Sequence, residues 1–138
     1  LHYLAVTLHT QISHIRNISR IEEERYVRLD KFTVRNLELV APMNEGGQSL
    51  LSVLDRTLTP MGARMLRRWL LFPLRNVAAI QRRQDGVEHF FRNPDFRDLC
   101  QEELARVGDM ERILSKVAVG RANPRDMQQL RVAIMGKL

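Results

Sequence analysis

The sequence predicts an all-α protein, an irregular bundle of about seven helices with at most one short pair of β-strands. Apolar residues recur every three or four positions along most of the chain, which is the spacing of a buried helix face. A capping residue followed by proline, at Thr59-Pro60 and at Asn123-Pro124, is typical of a helix start. With 138 residues, 44% of them hydrophobic, the chain can bury a core without disulfides or metal ions.

The N-terminal third of the chain contains two predicted helices with a β-prone stretch between them. The first helix is indicated by an apolar stripe that comprises Leu1, Leu4, Ala5, Leu8, Ile12 and Ile15. Residues 15–29 are predicted to contain the strand pair, because a β-prone patch follows the charged run at 22–25. Asp30 can cap a second helix that begins at Lys31 and is stopped by Pro42. Its inward-facing residues are predicted to be Val34, Leu37 and Ala41.

The middle of the chain begins with a loop at residues 43–49, where Gly46-Gly47 predicts a flexible surface segment and a possible hinge. A helix then starts at Thr59-Pro60 and ends at Pro73, with apolar residues over one half of its circumference. The other half carries three arginines, Arg64, Arg67 and Arg68.

The C-terminal half is predicted to consist of successive capped helices. Asn76 can cap the first, whose core-facing stripe is predicted to be Val77, Ile80, Val87 and Phe91. The residues expected to face away from the core are Arg82, Arg83, Asp85 and His89. A further helix is capped by Asp109 and ends at Gly120. The last helix follows Asn123-Pro124 and runs to Leu138, so we expect residues 1–138 to be a segment of a longer, multidomain protein.

The composition excludes several kinds of protein. No run approaches eighteen consecutive apolar residues, so neither a membrane span nor a membrane partner is predicted. The single cysteine, Cys100, excludes an internal disulfide and fits a reducing compartment such as the cytoplasm. The four histidines match no metal-binding motif, and neither a GxxxxGK(S/T) loop nor a GxSxG motif occurs. We therefore predict no catalytic, cofactor-binding or metal-ligating residue in this segment.

The chain is basic, and its arginines are the best functional candidates. Its formal net charge is +6, and all of its 22 basic residues except Lys31, Lys116 and Lys137 are arginines. A helix face with Arg64, Arg67 and Arg68 could lie against a phosphate backbone of DNA. The alternative, favoured by the scattered acidic residues, is that these arginines pair with carboxylates on neighbouring helices.

Four blocks of sequence resemble, in order, the MutS family of DNA mismatch-repair ATPases. They are Leu29-Asp30 with Arg35-Asn36-Leu37-Glu38-Leu39, residues 51–74, Gly108-Asp109-Met110-Glu111-Arg112-Ile113-Leu114, and Asn123-Pro124-Arg125-Asp126. The second is the most distinctive, and its structural motif is Asp55, Arg56, Thr59, Pro60, Gly62, Leu66 and Trp69. Thr59, Pro60 and Gly62 are expected to start and tighten a helix. The side chains expected to bury this helix are Leu66, Trp69 and Leu70. Asp55 and Arg56 could form a local ion pair.

The resemblance implies that the parent is a DNA-dependent ATPase that uses ATP and Mg²⁺. The parent would act as a homodimer on mismatched duplex DNA in the bacterial cytoplasm, associated with the nucleoid, and would recruit a MutL-type repair factor. This segment would be a non-enzymatic part of its helical core domain, with a structural and allosteric role. Its last helix would lead into a long lever helix. The Phe-x-Glu mismatch wedge and the ATPase motifs of the family do not occur here.

Two other functions remain open from the sequence. The chain could be a helical module that binds the DNA backbone non-specifically through its arginine face. It could also be a helical scaffold unrelated to DNA, whose partner docks on an exposed apolar face.

Overall fold

A computed structural model describes residues 25–135, which contain seven α-helices and no β-sheet. The helices are α1 (Lys31–Asn36), α2 (Leu50–Leu54), α3 (Pro60–Leu71), α4 (Val77–Arg92), α5 (Pro94–Ala105), α6 (Met110–Ala118) and α7 (Pro124–Met135). The predicted all-α class is confirmed. The N-terminal apolar stripe and residues 15–24 of the predicted strand pair lie outside the described residues. Within them, Tyr26 forms an isolated antiparallel bridge with Leu74.

The chain divides into two compact units, each described by itself. The described part of one unit, residues 25–108, contains α1 to α5, and that of the other, residues 109–135, contains α6 and α7. Among the described residues, the buried side chains are Leu39, Ser49, Ile113 and Asp126. No helix in the described range combines the length and apolar content that a membrane crossing requires. It stays a prediction that residues 1–138 form a single core-domain segment and that residues 43–49 act as a hinge within it.

Helix α1 starts as predicted but ends earlier. Its end at Asn36 is a Schellman motif: Glu38 N donates to Arg35 O at 3.0 Å, and Leu39 N donates to Val34 O at 3.1 Å. Glu38 takes the left-handed conformation that this motif requires, with φ of 49°. Continuation of the helix to Ala41, with Pro42 as its stop, was a wrong prediction. At Glu38 the chain leaves the direction of the helix. Leu37, which was expected to face inward, is 59% exposed.

The loop between α1 and α2 is closed at its base by the main chain. The first two amides of α2, at Leu50 and Leu51, donate to the carbonyls of Glu38 and Leu39, each at 2.9 Å. These bonds satisfy two of the amides that every helix start leaves without an intrahelical partner. Met43 N donates to Glu38 Oε1 at 2.6 Å, so the same glutamate also holds the start of the loop.

The predicted helix starts in the middle of the chain are confirmed. Thr59 Oγ1 accepts a hydrogen bond from Gly62 N at 3.0 Å, and Pro60 occupies the first turn of α3. Asn76 Oδ1 accepts from Ala79 N at 2.9 Å and caps α4 in the same way. Each cap satisfies an amide that the helix itself cannot, so these ends are set locally by sequence.

The predicted orientation of α4 was wrong. Three of its four supposed core residues are exposed, Val77 at 74%, Val87 at 71% and Phe91 at 81%. Arg83, which was expected to face away, is half-buried instead, and its guanidinium carbon lies 3.8 Å from the centre of the Trp69 ring. The apolar spacing correctly predicted that these residues form a helix. It did not predict which side of α4 packs inward, because that depends on the contact of Arg83 with Trp69 on α3.

Candidate functional site

The turn between α2 and α3 is held by Asp55. Its Oδ1 accepts hydrogen bonds from the hydroxyl of Thr57 at 2.6 Å and from the amide of Thr57 at 3.0 Å. Both bonds favour the ionised carboxylate, so they lower the pKa of Asp55, with the hydroxyl contributing most. The predicted ion pair with Arg56 does not form. Because the carboxylate folds back on Thr57, Arg56 remains exposed.

Gly62 lets this turn lie close to the start of α3. A Cβ atom at Gly62 would come within 3.2 Å of both Thr57 Cβ and Thr59 Oγ1. Both neighbours are fixed, Thr57 by Asp55 and Thr59 by its cap bond to Gly62 N. The motif therefore joins α2 to α3 in one geometry, which explains physically why threonine, proline and glycine occur together here.

The arginine face lies on the outer side of α3. Arg64, Arg67 and Arg68 are exposed, whereas Leu66 is half-buried on the other side of the helix and Trp69 is 42% exposed beneath Arg83. Arg64 takes part in a contact with its surroundings. Among the described residues, no carboxylate pairs with Arg67 or Arg68. The contact of this face with DNA stays a prediction.

The C-terminal end of α3 is anchored to the segment that precedes α1. Val27 N donates to Pro73 O at 2.7 Å, and the Tyr26 ring meets Phe72 edge-to-face at 5.8 Å. Basic side chains near a helix C-terminus also interact favourably with the helix dipole, which gives Arg68 a purely structural role as well. The anchored end fixes the direction in which the arginine face points.

The junction of α6 and α7 contains a nearly buried carboxylate, that of Asp126. Asn123 Oδ1 accepts from Asp126 N at 2.8 Å, while Asp126 Oδ2 accepts from Asn123 N at 3.0 Å. This reciprocal pair is a capping box. Lys116 of α6 adds a bond of 2.7 Å from Nζ to Asp126 Oδ1, and Asp126 is only 7% exposed. Lys116 contributes most to lowering the pKa of Asp126, followed by the Asn123 amide.

The sequence pattern gave Asp126 a smaller role than it has. An acidic residue in the first turn was expected to favour the helix dipole, whereas the structure shows a carboxylate that ties two helices together. The spacing Asn123-x-x-Asp126 is the signal that could have predicted the capping box. No local pattern could have predicted Lys116 as the third partner, because it lies on another helix.

The four blocks have one feature in common: each contains at least one helix end. These ends are the two ends of α1, the turn into α3, the cap of α6 by Asp109, and the capping box of α7. Asp109 Oδ1 accepts from Arg112 N at 3.2 Å. These residues fix the angles at which helices leave their turns, which is a structural task.

Comparison with known proteins connects these blocks to a family. Residues 32–137 match the family model described as MutS domain III. The chain is 60% identical over 134 residues to the DNA mismatch repair protein MutS of Bacteroides fragilis, covering 97% of this chain and 16% of that protein. The MutS protein of Parabacteroides distasonis is 61% identical, with 97% and 15% covered. That of Flavobacterium psychrophilum is 42% identical, with 97% and 16% covered.

The chain spans about one sixth of the length of these curated relatives. The match with the family model begins within α1 and includes the turn into α3, the cap of α6 and the capping box of α7. The chain therefore belongs to the MutS domain III family.

Proposed function

We propose that this chain is the structural and allosteric core segment of a MutS-type mismatch-repair ATPase. In this function it couples the binding of mismatched duplex DNA to ATP-driven changes of a clamp. The observation that carries the proposal is that each of the four family blocks contains a helix end whose hydrogen bonds fix how the chain enters or leaves that helix. Stiff helix junctions are suited to passing a displacement from one site to another.

The remaining parts of this proposal concern the parent protein. Its curated relatives carry the name DNA mismatch repair protein. By this relationship the parent is a homodimer on mismatched DNA in the bacterial cytoplasm, associated with the nucleoid, and recruits a MutL-type repair factor. The last helix of the segment, α7, leads into the lever of the parent.

ATP and Mg²⁺ belong to another part of the parent in this proposal. Among residues 25–135, no three His, Cys, Asp or Glu side chains converge in an arrangement that could hold a metal ion. The sequence also lacks the phosphate-binding loop that a nucleotide would need. In this proposal the contribution of this chain to the ATPase is mechanical.

The coupling role predicts a specific effect of Lys116→Met in the parent protein. The substitution removes the ion pair between α6 and α7 but keeps the capping box of Asn123 and Asp126. We expect affinity for mismatched DNA and basal ATP hydrolysis to stay unchanged. The stimulation of ATP hydrolysis by mismatched DNA should fall about fivefold, the lower end of typical coupling energies.

The matched control is Lys31→Met, which removes an exposed lysine at the start of α1. This variant should retain the full response to mismatched DNA. The proposal is wrong if Lys116→Met retains it as well while a lowered melting temperature shows that the ion pair has been lost.

A second candidate function is contact with the DNA backbone through Arg67 and Arg68. The observation that favours it is their exposure without a carboxylate partner in the described part of the chain. Arginines already engaged with a carboxylate would have to exchange it for phosphate, whereas these two need not. A net charge of +6 on the chain adds a long-range attraction for DNA.

The double variant Arg67→Gln/Arg68→Gln tests this contact. We expect the chain to bind matched and mismatched duplexes equally, with an affinity that falls steeply as salt is raised. The double variant should bind more weakly and lower the slope of log affinity against log salt by about two, roughly one for each lost phosphate contact. Fluorescence anisotropy of labelled duplexes measures both quantities.

The control for charge is Arg92→Gln/Arg106→Gln, which removes two arginines that pair with Glu88 and Glu103. It changes the net charge equally but should leave the salt slope nearly unchanged. Equal losses in the two double variants would mean that only net charge matters. Absence of binding at low salt would exclude the arginine face as a DNA contact of this chain.

A further inference from the structure

Residues 56–84, here called the arginine stretch, carry positive charges only. They contain no aspartate, no glutamate and no lysine. Their seven basic residues are Arg56, Arg64, Arg67, Arg68, Arg75, Arg82 and Arg83. Because the net charge of the whole chain is +6, all of its excess positive charge lies in this stretch, which runs from the turn before α3 to the middle of α4.

The arginine stretch is not neutralised by the folded chain. Four ion pairs of the described residues lie outside it, and they are Arg92–Glu88, Arg97–Asp98, Arg106–Glu103 and Lys116–Asp126. Within residues 25–135, by contrast, no carboxylate pairs with Arg67, Arg68, Arg75 or Arg82. All four of these arginines are exposed, so the stretch presents its charge to water.

Arg75 extends the arginine face past the end of α3. Arg68 lies in the last turn of this helix, and Arg75 follows in the turn that leads to α4. Arg75 N donates to Arg25 O at 3.1 Å, which places a second basic residue directly opposite Arg75. Like charges that face each other across a bridge repel, and a bound anion reduces this repulsion. Arg25 also takes part in another contact of its own.

Helix α4 contacts α3 and adds Arg82 to the same region. The guanidinium carbon of Arg83 lies 3.8 Å from the centre of the Trp69 ring, so this part of α4 lies against α3. Arg82 is the neighbour of Arg83 in the sequence and is exposed. Successive positions of a helix are about 100° apart, so Arg82 lies beside this contact rather than within it.

We propose that Arg75 and Arg82 act with Arg67 and Arg68 as one surface for the phosphate backbone of duplex DNA. The inference rests on the second candidate function and extends it from one helix face to α3, the turn after it and α4. Phosphate suits these residues because the planar guanidinium donates two parallel hydrogen bonds to it. Duplex DNA carries one charge per about 1.7 Å of its axis, so arginines at irregular spacings each find a phosphate.

The contacts of the arginine stretch favour duplex DNA over other polyanions. Single-stranded DNA is bound by stacking of its bases on aromatic rings. The two aromatic rings of the stretch already contact other groups, Trp69 with Arg83 and Phe72 with Tyr26. An acidic peptide would have to present carboxylates that match arginines on three separate elements. The two strands of a duplex supply phosphates over the whole width of such a surface.

The double variant Arg75→Gln/Arg82→Gln of this chain tests the inference. Fluorescence anisotropy of a labelled matched duplex gives the affinity between roughly 50 and 200 mM salt. Four phosphate contacts predict a slope of log affinity against log salt of about −3.6, so wild-type affinity should fall about 150-fold over this range. With two contacts removed, the affinity of the variant should fall only about twelvefold. Both replaced residues are exposed, so we expect the variant to fold, which circular dichroism checks.

The possible results separate this inference from the function on which it rests. The control Arg92→Gln/Arg106→Gln, whose arginines have carboxylate partners, should keep the wild-type slope. An unchanged slope in the test variant, together with a lowered one in Arg67→Gln/Arg68→Gln, would overturn the inference and leave the second candidate function standing. Absence of binding by the wild-type chain would overturn both. Tighter binding of single-stranded DNA, or displacement of the duplex by polyglutamate at equal charge concentration, would assign the surface to another polyanion and also overturn the inference.

Discussion

Replacement of Ile113 by alanine is expected to lower the free energy of unfolding by about 2–4 kcal/mol. Ile113 lies on α6, the helix that packs against α7, and only 5% of its surface is exposed. It is the only apolar side chain that the described residues of this unit, 109–135, bury to this degree. The variant loses the buried side-chain contacts, and few other apolar residues of the unit are placed to compensate.

Urea unfolding followed by circular dichroism measures this effect, with Ile134→Ala as the control. Ile134 lies on α7 and exposes 69% of its surface, so its truncation should cost less than about 0.5 kcal/mol. If the two variants lost similar amounts of unfolding free energy, Ile113 would not be the centre of the α6–α7 contact.

The second large effect is expected for Asp126→Ala, which should lower the melting temperature by several degrees at neutral pH. The substitution removes the acceptor for the amide of Asn123 and the partner of Lys116. Because Asp126 is nearly buried, water replaces these lost partners poorly. The carboxylate half of the capping box and the ion pair are lost together, so α7 loses its tie to α6, whereas the cap bond from the amide of residue 126 to Asn123 Oδ1 remains.

The effect of Asp126→Ala should depend on pH in a definite direction. The pKa of Asp126 in the folded protein lies below the ordinary value of 3.8, so the carboxylate stabilises the fold fully above that value. This contribution disappears as the pH falls through the lowered pKa. The melting temperatures of wild type and variant should therefore converge in acid and differ most near neutral pH.

Asp95→Ala is the matched control, because Asp95 also lies in the first turn of a helix that begins with proline. Asp95 is exposed, and the N-cap residue Asn93 makes no side-chain cap bond there. Its removal should change the melting temperature little. A pH-independent loss in Asp126→Ala would show that the carboxylate does not stabilise through its charge.

Local rules predicted the helix starts, because a cap depends on residues three positions apart. Thr59, Asn76 and Asp109 all cap helices as expected. The end of α1 was missed because the left-handed position of its Schellman motif holds Glu38, where glycine is usual. By contrast, the end of α6 was predicted, because Gly120 occupies that position with φ of 67°.

Contacts between elements were harder to predict than the elements themselves. The spacing of α4 defined an apolar face, but Trp69 on α3 receives Arg83 instead, and the apolar face stays exposed. In the candidate site, the arginine face of α3 was placed correctly on the outside, whereas the pairing of Lys116 with Asp126 was missed. Such contacts join residues on different helices, and no periodicity within one helix contains that information.

The loop between α1 and α2 has a consequence for changes in chain length. Its base is fixed by two main-chain bonds, from the amides of Leu50 and Leu51 to the carbonyls of Glu38 and Leu39. The exposed tip around Gly46, where φ is 80°, takes no part in these bonds. Since loop closure entropy grows only slowly with length, inserted residues at the tip would leave both helices in place. This loop is therefore the natural position for an inserted tag or probe.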